Sequence, residues 1–194
     1  MQPTPLDERL KQLESDLEAN PPRISSYSEL PCALFRYDPE VEWELRRELR
    51  KLATRLGNRG KSVQMVSLAG FVWKAIDDAE GLDPIVQLEA SEGWEAAQRQ
   101  VNVYLSDPDF LYFPRAIADR LTELESTTDL VFLWRAAALS PGIYFLSKLL
   151  DEMKGRLGIP TVLFYPGVFD DQGLRFMGLS DRETTTNYRV KIYH

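Results

Sequence analysis

Apolar runs of strand length alternate with amphipathic helical stretches along the chain. The runs with strand character cover residues 31–37, 63–68, 130–134, 159–165 and 188–193. The third run, LVFLW, is the most continuously apolar and predicts a strand at the sheet centre, whereas the last alternates apolar and polar residues, as an edge strand does. Because helical stretches separate the first four runs, we expect an α/β fold. The pattern favours a single three-layer domain over residues 1–194, with a mainly parallel sheet and helices on both faces.

Three helical stretches carry expectations about packing. Residues 6–19 place a leucine stripe on one helical face, and we expect this N-terminal helix to dock on the core; a helix presented to a partner's groove is the alternative. Asp38-Pro39 predicts the start of a second helix, since the carboxylate can cap the first turn and the proline needs no N–H there. Residues 80–125 form a broken helical insertion. Its aromatic side chains either pack on the core, which we favour, or line a contact surface.

The stretch 161–179 joins the fourth apolar run to an acidic segment and a second short apolar run. Pro166-Gly167 predicts the end of a buried strand, which places the following acidic residues in a surface loop. Carboxyl ends of parallel strands meet at one edge of a sheet, where open α/β folds place their sites. That edge would gather Asp38, Arg135, Ser140, Asp170, Asp171 and Arg175. Such side chains could bind Mg²⁺ or act in acid–base chemistry, but capping, surface pairing and partner contact are the favoured roles.

Composition and charge exclude several classes of protein. The 194 residues are 44% hydrophobic and 27% charged, as in an ordinary globular protein, and no stretch approaches the ~20 apolar residues of a membrane span. The first residues lack the charged-then-apolar pattern of a signal peptide, so we do not expect secretion. The single cysteine, Cys32, fits a reducing cytoplasm. With a net charge of −7, the chain lacks the overall positive charge that is typical of nucleic-acid binders, although a local basic patch is compatible with this charge. The only histidine, His194, is the last residue, which disfavours histidine-based zinc sites and catalytic triads.

Motifs for phosphate and cofactor binding are absent from the sequence. Residues 57–62, GNRGKS, resemble part of a P-loop, but Arg55 stands where the first glycine is required, and the segment ends a helix instead of opening one. No G-x-G-x-x-G follows the first strand, and no G-x-S-x-G elbow occurs. We therefore expect no cofactor, no bound metal and no enzymatic activity.

The outward face of the second helix combines an aromatic residue with basic ones. Trp43, Arg46, Arg47 and Arg50 recur at helical spacing, while several glutamates on the same helix dilute the positive field. A solvated surface, a protein contact and a single-stranded nucleic-acid contact are the three interpretations, in decreasing order of preference.

Three segments and the C-terminus resemble the BrxB family. They are PCALFRYDP at 31–39, LVFLWRAAALSPG at 130–142, FYPGxxDxxGLRFMGL at 164–179 and NYRVKIY at 187–193. The third is the most specific of these, and the insertion at 80–125 is the least. BrxB proteins are small components of BREX bacteriophage-exclusion systems, which also contain a DNA methyltransferase, a large ATPase and the phosphatase-like PglZ.

The resemblance implies a cytoplasmic bacterial adaptor that acts in phage defence, with PglZ as its direct partner and no catalytic residues of its own. The fold would resemble nucleotide-binding folds without their phosphate loop. A hydrolase that uses Asp38, Asp170 and Asp171 with a metal or nucleotide is the first alternative, and nucleic-acid contact through Arg46, Arg47 and Arg50 is the second. The candidate partner-binding residues are Trp43, Arg46, Arg47, Arg50, Arg135, Tyr165, Asp170, Asp171 and Arg175.

Overall fold

The computed structural model describes residues 4–25, 31–122, 124–125, 127–156, 158–170, 173–179 and 190–194. It confirms the α/β class and the mainly parallel sheet. Among these residues, no helix combines the length and the apolar character that crossing a membrane requires.

The five strands that the sequence predicts are present in the predicted order, and the structure adds a sixth between the fourth and the last of them. The strands are β1 (Cys32–Tyr37), β2 (Ser62–Ser67), β3 (Asp129–Trp134), β4 (Thr161–Asp170), β5 (Gly173–Phe176) and β6 (Lys191–Tyr193). The helices are α1 (Leu6–Glu18), α2 (Glu42–Gly57), α3 (Leu68–Ala79), α4 (Leu82–Glu92), α5 (Trp94–Ser106), α6 (Phe113–Arg120) and α7 (Leu146–Glu152). Short 3-10 turns cover Pro39–Val41 and Ala136–Leu139.

The strand order in the sheet is β2-β3-β4-β1-β6, with β5 paired to β4 outside this row. Strand β4 runs parallel to both β1 and β3, and β1 also runs parallel to β6. The central strand is therefore β4 and not β3, although β3 is an interior strand as its apolar run requires. The expected edge position of the last strand is confirmed for β6; residues 188 and 189 lie outside the described residues.

The chain divides into two compact units. One contains residues 1–66, 123–134 and 155–194 and is called the sheet unit here; the other contains residues 67–122 and 135–154 and is called the helical unit. Three separate segments build the sheet unit and two build the helical unit. Each unit is described by itself.

The core of the sheet unit packs α1 and α2 against one face of the sheet. Phe164 on β4 lies between Phe35 on β1 and Phe132 on β3, with ring centroids 5.5 and 5.1 Å away. The leucines of α1 and α2 that complete this core are Leu10, Leu13, Leu17, Leu45, Leu49, Leu52 and Leu56, all of them buried. The docking of the N-terminal helix by its leucine stripe is thereby confirmed.

Polar contacts fix α1 on both sides. Arg55 on α2 donates two hydrogen bonds of 2.8 and 3.0 Å to one oxygen of Glu14, and its Nε lies 2.9 Å from the other. On the opposite side, Lys191 and the hydroxyl of Tyr193 on β6 donate to Asp16 at 2.6 and 2.8 Å. A charge-assisted contact on each side holds the helix in one register.

The helical unit has its own aromatic core. Phe113 on α6 packs between Phe71 and Tyr144, with ring centroids 5.7 and 5.2 Å away. The side chain of Asn102 on α5 donates to the carbonyl of Ile143 at 2.6 Å. Helix α7 begins at Leu146, after a turn in which Ile143 N donates a hydrogen bond to the carbonyl of Leu139.

Strand β4 continues through Pro166-Gly167, contrary to the prediction that these residues end it. Pro166 is the last residue of β4 paired with β1, and from Gly167 onwards β4 pairs antiparallel with β5 as a hairpin. The missing N–H of proline is tolerated where the strand passes from one partner to the next. At Gly167, a Cβ would overlap the carbonyl oxygen of Arg175 and lie 2.7 Å from Cε1 of Tyr165, so this position requires glycine.

Candidate partner-binding surface

Trp43 lies on the outward face of α2, at the second helical position. The inward face of this helix is occupied by leucines, so the ring is directed to solvent with 77% of its surface exposed. Asp38 starts the turn that precedes the helix, because its Oδ1 accepts a hydrogen bond of 3.2 Å from Glu40 N and Pro39 follows it. The predicted capping role of Asp38 is confirmed. The capped turn leads directly into α2, which begins at Glu42, one residue before Trp43.

The guanidinium of Arg46 lies close to two indole rings. Its central carbon is 4.5 Å from the centroid of Trp43 and 5.6 Å from that of Trp134, at the end of β3. Arg46 is only 18% exposed, although it belongs to a surface helix. Both distances are within the range of cation–π attraction. These three residues are called the Trp43 platform.

A partly buried acceptor holds the arginine of the platform. Glu42 lies one turn before Arg46, and its Oε1 accepts a hydrogen bond of 2.6 Å from the arginine Nε. The other carboxylate oxygen accepts a hydrogen bond from the hydroxyl of Tyr37. Burial, together with this hydrogen bond to Glu42, raises the pKa of Tyr37 well above its ordinary value, so the phenol stays protonated and remains a donor. The exposed tryptophan is therefore supported by a hydrogen-bonded chain that reaches the sheet.

The other basic residues of this face are paired within the helix. Arg47 and Lys51 lie 3.3 and 2.8 Å from the same oxygen of Glu48. The pKa of Glu48 is lowered, and the main cause is the hydrogen bond that Lys51 donates to its carboxylate. Arg50 donates through Nε to the carbonyl of Arg46 at 3.2 Å. Glu42 and Glu48 therefore offset much of the positive charge that the arginine spacing predicts, which weakens this face as a phosphate-binding surface.

The remaining predicted site residues occupy different environments. Tyr165 is 2% exposed inside β4 and packs edge-on against Phe176 at 5.4 Å, so the expectation of a surface tyrosine is wrong. The cause is the continuation of β4 beyond this residue. Arg135 adopts a left-handed conformation, with φ of 60°, where β3 ends. Arg175 is half-buried in β5, opposite Val168.

The acidic tip of the hairpin is separated from Asp38 along the sheet. Asp170 is the last residue of β4 and pairs with Gly173, while Asp171 lies outside the described residues. Asp170 lies four residues beyond Pro166, the last residue paired with β1, which corresponds to roughly 13 Å of strand. Within the described ranges, no group of three or more His, Cys, Asp or Glu side chains could hold a metal ion.

Three residues of the site were missed by sequence reasoning, namely Tyr37, Glu42 and Trp134. The spacing of Glu42 and Arg46 is the i, i+4 spacing of a helical ion pair, and it could have indicated that this arginine is held in place. Trp134 and Tyr37 belong to strands that were assigned only to the core. Their contacts with α2 depend on how β1 and β3 pack beneath the helix, which local spacing does not report.

Comparison with known proteins identifies the family. A family model described as BREX protein BrxB matches residues 64–192, about two-thirds of the chain. Two of the three resembling segments and the C-terminal segment fall within or nearly within this match, whereas PCALFRYDP, α1 and α2 lie before it. Searches of curated proteins and of solved structures give no match. On the family match, the chain belongs to the BrxB family and is a component of a BREX phage-defence system.

Proposed function

We propose that this protein is a non-enzymatic adaptor of its BREX system and that it binds the phosphatase-like PglZ component through the Trp43 platform. The observation that supports this proposal is an exposed tryptophan stacked on a guanidinium that is itself hydrogen-bonded to Glu42. Tryptophan and arginine are enriched among the residues that dominate binding energy in protein interfaces. The choice of PglZ rests on what the BrxB resemblance implies.

Preorganisation is the physical advantage of this arrangement. Ordering a long side chain at an interface opposes binding by about 0.5–1.5 kcal/mol. Arg46 is already held by Glu42 and by the indole of Trp43 before any partner arrives. A partner that covers the ring gains apolar burial from Trp43 with little further loss of side-chain freedom.

The test is the affinity of the full chain for the PglZ protein of the same system. Trp43→Ala should weaken binding by at least about 30-fold, corresponding to the loss of a residue worth 2 kcal/mol or more. Trp94→Ala is the matched control, because Trp94 is also exposed but lies in the helical unit. The Trp94→Ala protein should bind PglZ with the affinity of the wild type. Wild-type affinity in the Trp43→Ala protein, or no association of the wild type at low salt, would contradict the proposal.

Two further measurements address the alternative functions. Binding of single-stranded nucleic acid by the arginines of α2 should fall steeply with salt and should be lost on charge reversal of Arg46, Arg47 and Arg50. A hydrolase that uses Asp38 and the hairpin tip should show a higher melting temperature with nucleotides and Mg²⁺. We expect neither effect. Either one would replace the adaptor proposal by the corresponding alternative.

A further inference from the structure

The helical unit contains an open groove between the second half of α3 and the turn before α6. Its volume is about 340 Å³, and its lining residues are Ala75, Asp78, Ala79, Asp109, Phe110 and Leu111. All of them lie within residues 67–122, and all fall inside the family match. The groove shares no residue with the Trp43 platform.

The aromatic side of the groove is fixed in position. The ring of Phe110 packs against Tyr104 with centroids 5.0 Å apart, yet 43% of Phe110 remains exposed. Tyr104 is buried and donates its hydroxyl hydrogen to Glu80 at 2.8 Å. The turn is closed by hydrogen bonds from Phe110 N to the carbonyl of Asp107 and from Leu111 N to the carbonyl of Tyr104. An aromatic face is thereby presented beside the small side chains of α3.

Carboxylates supply the polar side of the groove. Asp109 makes no side-chain hydrogen bond or ion pair with the residues that the structure describes. Asp78 pairs with Lys74 at 2.5 Å, and the two side chains are about half exposed, so this pair is open to exchange with another cation. Over residues 67–122, Asp and Glu outnumber Lys and Arg by ten to four. The electrostatic field of this region attracts cations and repels phosphates.

We propose that this groove binds an arginine side chain from a basic segment of a partner protein. The aliphatic part of the arginine would lie on Ala75 and Ala79. Its guanidinium would stack on the exposed face of Phe110 and donate hydrogen bonds to Asp78 and Asp109. Arginine fits better than lysine because its planar, weakly hydrated head can stack and pair with carboxylates at the same time.

This inference is independent of the proposed contact with PglZ. The groove belongs to the helical unit and the Trp43 platform belongs to the sheet unit. Substitutions can therefore disrupt one site while every residue of the other is unchanged. A chain with both sites can bind a partner protein at the Trp43 platform and an arginine of a basic segment at the groove.

The experiment is an NMR titration of the full ¹⁵N-labelled chain with N-acetyl-arginine methylamide. We expect saturable shifts of the groove amides, from Ala75 to Ala79 and from Asp109 to Leu111, with an affinity in the millimolar range. The citrulline counterpart has nearly the same shape without the charge. It should bind at least about tenfold more weakly if the carboxylates contribute charge-assisted hydrogen bonds.

Variants separate the groove from non-specific cation binding. Asp109→Asn, which leaves the shape of the groove unchanged, should reduce the arginine affinity several-fold, and Phe110→Ala should reduce it further. Trp43→Ala should leave it unchanged. Equal titration by the citrulline compound, shifts spread over acidic residues outside the groove, or full binding by the Asp109→Asn protein would overturn the inference.

Discussion

The two units of this chain differ in how many of their large apolar side chains are exposed to solvent. Nine such side chains are exposed in the part of the chain that the structure describes, and the sheet unit contributes only Trp43 and Phe169. The helical unit contributes the other seven, which are Trp73, Leu82, Val86, Trp94, Val103, Phe110 and Phe145. The smaller unit thus carries most of the exposed large apolar side chains among the described residues.

The difference follows from how each unit buries its elements. Interior strands of a parallel sheet are covered on both faces, and Phe35, Phe132 and Phe164 are accordingly inaccessible to solvent. Helix α4, by contrast, buries only Ile85. Exposed apolar side chains are common singly, but their concentration in one acidic unit is typical of a surface that meets other proteins. The sheet unit buries most of its large apolar side chains, whereas the helical unit leaves several of its own exposed.

The sheet unit depends on segments that are distant in sequence, and truncation tests this dependence with the largest expected effect. A chain that begins at Gln64 contains the whole family match but lacks β1, which joins β6 to β4. It also lacks the leucine faces of α1 and α2. We expect loss of cooperative thermal unfolding and of the dispersed NMR spectrum of the sheet.

Co-expression of residues 1–63 as a separate chain is the control for that truncation. If β1 and the two helices complete the core, the added fragment should restore a cooperative transition. A sharp unfolding transition of the truncated chain alone would show that the matched region is self-sufficient, and the described role of β1 would then be wrong.

Phenylalanine substitutions compare the two units directly. Phe164→Ala removes a fully buried ring at the centre of the sheet unit and should lower the free energy of unfolding by about 3–5 kcal/mol. Phe110→Ala removes a half-exposed ring in the helical unit and should lower it by less than about 1.5 kcal/mol. Urea denaturation followed by tryptophan fluorescence measures both. Similar losses would mean that the helical unit is packed as tightly as the sheet.

Much of the sheet unit could be predicted because its signals are local. The apolar run around Phe35, the spacing of the α2 leucines and the cap at Asp38 each specify one element without knowledge of the rest. The hairpin was missed for the opposite reason. Pro166-Gly167 usually marks a break, and only the pairing of Gly167 with Phe176 shows that glycine is needed for a close approach inside a strand.

The candidate site was predicted in part. The helical face of Trp43 and Arg46 follows from spacing alone, and the structure places these two residues together. The contact of Arg46 with Trp134 and the burial of Tyr165 depend on strand packing and on the length of β4. The groove at Phe110 depends on how a turn folds back on α5, for which the sequence carries only a broken helical pattern.

Replacing a glycine by alanine should lower the free energy of unfolding in the sheet unit and raise it in the helical unit. Gly167→Ala introduces a methyl group against the backbone of β5 and should lower the free energy of unfolding by about 1–3 kcal/mol. Gly70→Ala lies in α3, where the nearest atom to an added methyl group is 3.7 Å away, and should raise stability by about 0.5–1 kcal/mol. Thermal or urea unfolding of the two variants gives the signs. A Gly167→Ala protein as stable as the wild type would mean that the β4–β5 hairpin can open without lowering the free energy of unfolding.

The smallest expected difference between the units is in the contribution of one carboxylate to stability. It can be measured from the pH dependence of the free energy of unfolding. Burial alone would raise the pKa of Asp16, but hydrogen bonds from Lys191 and Tyr193 outweigh it and lower the pKa below its ordinary value. The folded state therefore favours the ionised form, and this stabilisation is complete above pH ~4 and is lost as pH falls through the lower folded pKa. Asp16→Asn should lower the free energy of unfolding by about 1–2 kcal/mol at pH 7.

The deficit of the Asp16→Asn protein should shrink in acid, because protonation of the wild-type carboxyl, which begins in the unfolded state, removes the advantage of the ionised form. The matched control is Asp78→Asn in the helical unit, whose partner Lys74 and own side chain are both about half exposed. Its effect should stay within about 0.5 kcal/mol at either pH, as for other exposed ion pairs. Urea unfolding of both variants at pH 7 and near pH 3 separates the two cases. A deficit for Asp16→Asn that is the same at both pH values would assign its effect to packing, because only the ionised carboxylate can be neutralised by acid.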